Sequence, residues 1–231
     1  MGGSRSDSQG ATGPGRTDPW GAGGSEVDLR GAREAMVVTQ IAARGVRDPR
    51  VLSALLEVPR HRFVPAAERA EAHGDHPLPI GRGQTISQPY IVAFMAEALE
   101  LAGTERVLEV GSGSGYFAAV LARLAREVVA LELEPELVAR SSALLGELGV
   151  GNVMVHLADG ARGWPGAAPY EAIVLSCTAP AVPEALWDQL APGGILLSPI
   201  GTPWETQWLT RYRGGPAHPE RLLPVAFVPL R

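Results

Sequence analysis

Apolar positions along the chain recur with two different periods, and the change of period divides it. Before about residue 100 the spacing is helical. Met36, Val37, Ile41 and Val46 suggest a helix that ends near Gly45. Asp48-Pro49 is a helix start, with an acid at the cap and proline in the first turn. Val51, Leu52, Leu55 and Leu56 form its apolar face, and Pro59 ends it. Residues 60–84 are irregular, broken by Pro65, Pro77, Pro79, Gly74, Gly81 and Gly83, and so predict a long functional loop. A further helical stretch covers residues 91–99. Beyond residue 100, short apolar runs at 107–110, 127–132, 152–158, 170–176 and 192–198 read as strands separated by helical segments. That alternation predicts an α/β, doubly wound, parallel sheet under an N-terminal helical cap.

Residues 1–26 follow neither period. Gly, Ser, Arg, Asp and Pro dominate there, and such a segment cannot bury enough surface to offset its ordering entropy, so a tail without fixed structure is expected. It has no apolar core, hence no secretory signal, and a cytoplasmic protein is expected. Residues 27–231 then form one domain: 27–100 supply the cap and the loop, 101–231 the sheet. Among 231 residues the formal net charge is −5, which argues against general attraction to nucleic acid. No apolar run is long enough to span a bilayer. The single cysteine, Cys177, excludes an intramolecular disulfide framework, and the five histidines show no metal-ligand spacing, so no metal site is expected.

The chemistry concentrates where the first strand of the sheet ends. Glu109 is followed by Gly111, Gly113 and Gly115 at alternate positions. A turn of this kind lets backbone approach a ligand closely, and the following helix offers free N–H groups. The dinucleotide pattern G-x-G-x-x-G/A fails from Gly111 but passes from Gly113 to Ala118. The alternative pattern, acid-x-Gly-x-Gly-x-Gly, resembles the first motif of class I methyltransferases, which bind S-adenosylmethionine (SAM). Glu132 ends the next strand, where an acid can accept from ribose hydroxyls in either class of enzyme. Asp159-Gly160 ends the third, where a carboxylate can accept from an adenine amine. Ser87, before Pro89 and the apolar helical stretch, reads from spacing alone as a helix cap.

Pro79-Ile-Gly-Arg-Gly-Gln-Thr-Ile-Ser87 resembles the signature of the protein-L-isoaspartate O-methyltransferases, repair enzymes for damaged aspartyl and asparaginyl residues. The likeness extends to residues 45–52, 58–65, 107–115, 158–160, 192–194, 198–201 and 227–230, and covers nearly the whole of residues 27–230. It implies a Rossmann-like SAM methyltransferase fold with a mostly parallel seven-stranded sheet, closed by an antiparallel pair over 206–212 and 225–230. It implies SAM as cofactor and S-adenosylhomocysteine (SAH) as product. Glu109, Gly111, Gly113, Gly115, Glu132, Asp159 and Gly160 would hold the cofactor, and Ser87 would be the active-site serine. Thr85, Ile86, Cys177, Thr178 and Gln207 would touch the substrate, with the strand end 176–179 facing the reacting carboxylate. The partners implied are isoaspartyl proteins and peptides, met by a monomer. A related enzyme that tailors one dedicated peptide is the alternative. Four places depart from the family's usual residues: His73, Arg82, Ala158 and 176–178.

Overall fold

A computed structural model describes residues 26–202 and 204–231; the expected tail, residues 1–26, lies outside them but for its last residue. The chain opens with helix α1 (Glu26–Ala35), a π-helical stretch (Met36–Ile41) and a 3-10 turn that ends on left-handed Gly45. Asp48 caps α2 (Pro49–Glu57) by accepting from the N–H of Arg50, as the acid-Pro start predicts. The stretch expected to be irregular holds two 3-10 turns and a hairpin, β1 (Leu78–Gly81) with β2 (Gln84–Ile86). Pro79 and three consecutive left-handed residues, Gly81, Arg82 and Gly83, hide that hairpin from a reading by period. Helix α3 (Pro89–Ala98) closes the cap.

The sheet elements follow as β3 (Arg106–Val110), α4 (Tyr116–Leu121), β4 (Glu127–Glu132), α5 (Pro135–Glu147), β5 (Val153–Leu157), β6 (Tyr170–Leu175), α6 (Glu184–Trp187), β7 (Leu190–Ile200), β8 (Gln207–Arg213) and β9 (Glu220–Val225). Strand order is β5-β4-β3-β6-β7-β8-β9; the first five are parallel, and β8 and β9 run antiparallel. The mostly parallel seven-stranded expectation holds. The last strand does not lie at 225–230: it is Glu220–Val225, and residues 226–231 leave the sheet with one bridge, Thr178 to Pro229. Pro224 and the charged start of this segment suit an edge strand and mask it in the sequence.

β3, β4 and β6 are buried on both faces, so they read as continuous apolar runs. Their side chains still alternate. Val107, Val128, Ala130, Ala172 and Val174 face the core shared with the cap and α3–α5. Leu108, Val110, Val129, Leu131, Ile173 and Leu175 face a second core with Tyr170, Leu186 and Trp164. Parallel register sets Glu109 beside Ala130 and Val174. One same-face step further along β4 and β6 come Glu132 and Ser176. Three polar side chains thus meet on the cap side of the sheet, where the chain switches direction between β3 and β6. In such sheets that switch point is where ligands bind. The cap is tied to this place by Arg60, wholly buried, whose Nε donates to Ala72 O and whose guanidinium lies 5.0 Å over the Tyr116 ring at the start of α4.

Candidate active site

The glycine turn is held open by backbone bonds. Gly111 and Ser112 both donate to Leu131 O, at 2.9 and 3.0 Å. Gly111 and Gly113 have φ of +82° and +53°, a conformation L side chains rarely adopt. A Cβ on Gly113 would come within 3.2 Å of Ile80 Cδ1, and one on Gly160 would drive into Val110. Gly115 lies deeper: left-handed, it caps α4 and lets Ser141 of α5 approach to where its Cβ would stand at 2.9 Å. Gly111, Gly113, Glu132, Ala158 and Gly160 line one crevice, roofed by Gln84 and Thr85 from the hairpin and by residues 228–231.

Two carboxylates serve this crevice in different ways. Glu132 accepts from three backbone N–H groups: Gly113 at 2.8 Å, Leu133 at 2.8 Å and Glu134 at 2.9 Å. Of about four lone-pair positions, one remains for a ligand. Glu109 is wholly buried, with Oε1 3.1 Å from Ser176 Oγ and Oε2 without a partner. Burial pushes its carboxyl up to about 8; the Ser176 hydrogen bond works against that shift and the nearby Glu132 charge adds to it. Ser112 Oγ is likewise buried without a partner. The crevice, with its left-handed glycines and Glu132, and the narrow cleft beside it, with Glu109 and the unsatisfied Ser112 Oγ, together suit a compact ligand with a cationic amine and sugar hydroxyls, such as SAM. Asp159 lies between crevice residues, but its own carboxylate caps the next turn by accepting from Ala161 N–H at 2.9 Å.

A second space, of about 620 Å³, opens beside the crevice. Ser87, Thr85 and Ser176 line it with Pro77, Ile91 and residues 224–228. A narrow cleft lined by Glu109, Ser112, Ile86 and Ser87 joins the two. Ser87 is not a helix cap: Gln88 holds the cap position of α3, and among the described residues the Ser87 hydroxyl has no hydrogen-bond partner. It borders both the larger space and the narrow cleft.

The remaining expected substrate residues separate. Gln207 is buried and clamps the backbone of Phe227 from both amide ends, accepting at 2.6 Å and donating at 3.1 Å. It shapes the cavity wall from behind. Thr178 is also buried, its hydroxyl shared between Pro199 O and Gly201 O. Cys177 faces the crevice with Sγ 3.9 Å from Val110 O; burial pushes its thiol up to about 12, so it carries no thiolate. Of the strand end 176–179, Ser176 alone lines both spaces. The alternation of β6 is the signal that singles it out, because 172, 174 and 176 share a face. His73 lies buried in the cap beside His61, and Arg82 at the hairpin tip pairs with Glu136.

Residues 32–231 match the family described as protein-L-isoaspartate(D-aspartate) O-methyltransferase. The chain is 58% identical over 202 residues to protein-L-isoaspartate O-methyltransferase 2 of Anaeromyxobacter sp. (strain Fw109-5), covering 86% of this chain and 83% of the relative. It is 54% identical to protein-L-isoaspartate O-methyltransferase 1 of Rhodopseudomonas palustris (strain HaA2), covering 86% and 82%. A solved protein-L-isoaspartate O-methyltransferase superposes with TM-score 0.78 at 28% identity, covering 85% of this chain and 65% of that one. A Plasmodium falciparum structure titled as a putative member, in complex with SAH, superposes with TM-score 0.73 at 26% identity, covering 86% and 98%. The chain belongs to the protein-L-isoaspartate O-methyltransferase family and is a SAM-dependent methyltransferase.

Proposed function

We propose that the chain methylates the α-carboxylate of isoaspartyl residues in damaged proteins and peptides, and that the ester then cyclises to a succinimide with loss of methanol, which water opens to aspartate or isoaspartate. One observation carries this reading. An unpartnered hydroxyl, Ser87, stands between a glycine-turn crevice and an open cavity, and among the described residues no charged side chain lines that cavity. The acceptor needs no base, because a carboxylate is already ionised at neutral pH.

Gly111 and Gly113 bring backbone against the cofactor, Glu109 and Glu132 face its amine and ribose, and Ala158-Asp159-Gly160 border its adenine; Gly115 sets the helix behind. When bound, SAM would supply a methyl group to a carboxylate oxygen, the sulfur keeping the electron pair of the broken carbon–sulfur bond as SAH, with no proton moved. The chain's own contribution is to orient and to exclude water around two opposite charges. Ser87 donates to the acceptor carboxylate, Thr85 and Ile86 present the hairpin edge, and the roof closes the crevice. Cys177, Thr178 and Gln207 act from behind, by shaping the walls. Residues 27–231 work as a single domain, in the cytoplasm, as a monomer that accepts many protein chains and no nucleic acid, in keeping with the net charge of −5.

Labelled SAM offered with an isoaspartyl peptide and its aspartyl twin tests the reading: methylation of the isoaspartyl peptide alone is expected. Ser87→Ala should lower kcat/KM by roughly 10- to 100-fold, the effect of one hydrogen bond to a charged group. Full activity in that variant would remove Ser87 from the mechanism.

A further inference from the structure

Ser176 is where the spaces of this site meet. Its side chain borders the cofactor crevice, the narrow cleft and the acceptor cavity. Its N–H donates to Val110 O at 2.8 Å, so the central strand fixes its backbone. Its hydroxyl lies 3.1 Å from Glu109 Oε1, and Glu109 is wholly buried with its other oxygen unpartnered. Ser87 borders the same cavity and cleft from the N-terminal side of α3.

We propose that Ser176 is a second acceptor-positioning residue: with Ser87 it supplies hydroxyl donors to the two oxygens of the acceptor carboxylate, and Glu109 aims it. The proposal rests on the isoaspartyl reading above. A carboxylate held through one oxygen can still rotate about its carbon–carbon bond. A second donor on the other oxygen fixes its plane and leaves one lone pair in line with the incoming methyl. Carbon–oxygen bond formation and carbon–sulfur cleavage proceed as above, and both serines keep their protons. Glu109 has the chemistry for aiming. Burial favours its neutral form, and a neutral carboxyl can donate to Ser176 Oγ, which turns the serine's own hydrogen outward. An ionised Glu109 would instead draw that hydrogen inward. Cys177 and Thr178, one and two residues on, do not share this position.

The test compares Ser176→Ala, Ser176→Thr, Ser87→Ala and the double Ala variant. Isoaspartyl-peptide kinetics are read beside SAH affinity by calorimetry and melting temperature. Ser176→Ala is expected to lose roughly 10- to 100-fold in kcat/KM, with SAH affinity within about threefold of wild type. Ser176→Thr should recover most of the loss. The double variant should lose less than the product of the single losses, since both hydroxyls hold one group. If Ser176→Ala does not fold, Ser176→Cys, similar in size but a poor donor, carries the same expectation. Unchanged kcat/KM overturns the proposal. So does a parallel fall in SAH affinity and melting temperature that Thr does not rescue, which would make Ser176 only a partner for Glu109. A wild-type enzyme that binds SAH yet leaves the isoaspartyl peptide untouched overturns the parent reading, and this one with it.

Discussion

The floor and the roof of the cofactor crevice are built on different principles. The floor is the ends of β3, β4 and β6, where parallel register and two-residue alternation set Glu109, Glu132 and Ser176 on one face. Glu132 is bound there by backbone, three N–H groups converging on it, and Glu109 by the Ser176 hydroxyl. The roof is the β1–β2 hairpin and residues 226–231, drawn from opposite ends of the chain. Both pieces are fastened to the start of α5 by side chains: Arg82 to Glu136, and Arg231 to Glu134 at 2.6 Å. Arg82, Glu136 and Arg231 are about half exposed and Glu134 about a quarter, and such pairs contribute little to stability. The difference teaches that binding geometry is stored in the floor, while the roof is held by contacts weak enough to release.

The sharpest way to break this contrast is at Glu132. Glu132→Gln leaves one acceptor oxygen for three converging N–H groups. SAH affinity should fall on the order of 100-fold or more, read by calorimetry, with a lower melting temperature. A loss below threefold would mean that the floor is not where binding geometry resides.

Glu109 gives an intermediate effect that isolates burial. Folding raises its carboxyl from 4.5 to about 8, so across that window the folded chain holds a proton that the unfolded chain has lost. Stability contributed by this group therefore falls as pH rises from about 4.5 to 8. Glu109→Gln removes the titration. Urea unfolding of ligand-free protein at several pH values should show wild type losing stability relative to the variant, by up to about 1.4 kcal/mol per pH unit inside the window. Parallel pH profiles would show that Glu109 is ionised in the folded chain.

The roof should respond least. Arg82→Ala and Arg231→Ala each remove an exposed ion pair worth about 0.2–1 kcal/mol. Melting temperature should barely move, and SAH should dissociate up to about fivefold faster in stopped flow. Raising salt should narrow the gap to wild type, because exposed charges are screened. A large loss of stability would place the roof with the floor as a fixed part of the fold.

The same contrast governs what could be read from sequence. The floor was legible because strands buried on both faces leave continuous apolar runs, and because a glycine turn after an acid has few other uses. The cap helix start at Asp48-Pro49 was legible from its capping chemistry. The hairpin was not, since strands of three and four residues, the longer one containing Pro79, are too short for alternation to stand out from the surrounding loop. Residues 225–230 looked like a strand because Phe227, Val228 and Leu230 are apolar, yet beyond Val225 their backbone pairing is confined to Thr178, and Phe227, Val228 and Leu230 line the two spaces of the site. Gln207 and Thr178 could not be placed at all. Their partners are backbone carbonyls and an N–H some twenty residues away, and no spacing rule announces those.

Among the described residues the lining of the proposed acceptor cavity is uncharged, which has a consequence for what the molecule can know about its target. Apolar groups and neutral polar groups border that space, so flanking residues on an incoming chain meet little there that would favour one sequence over another. A detector of chemical ageing must ignore the message and register only the error. By keeping its charges on the cofactor side and its acceptor wall neutral, this site discards information about where the lesion occurred and keeps the single bit that one has.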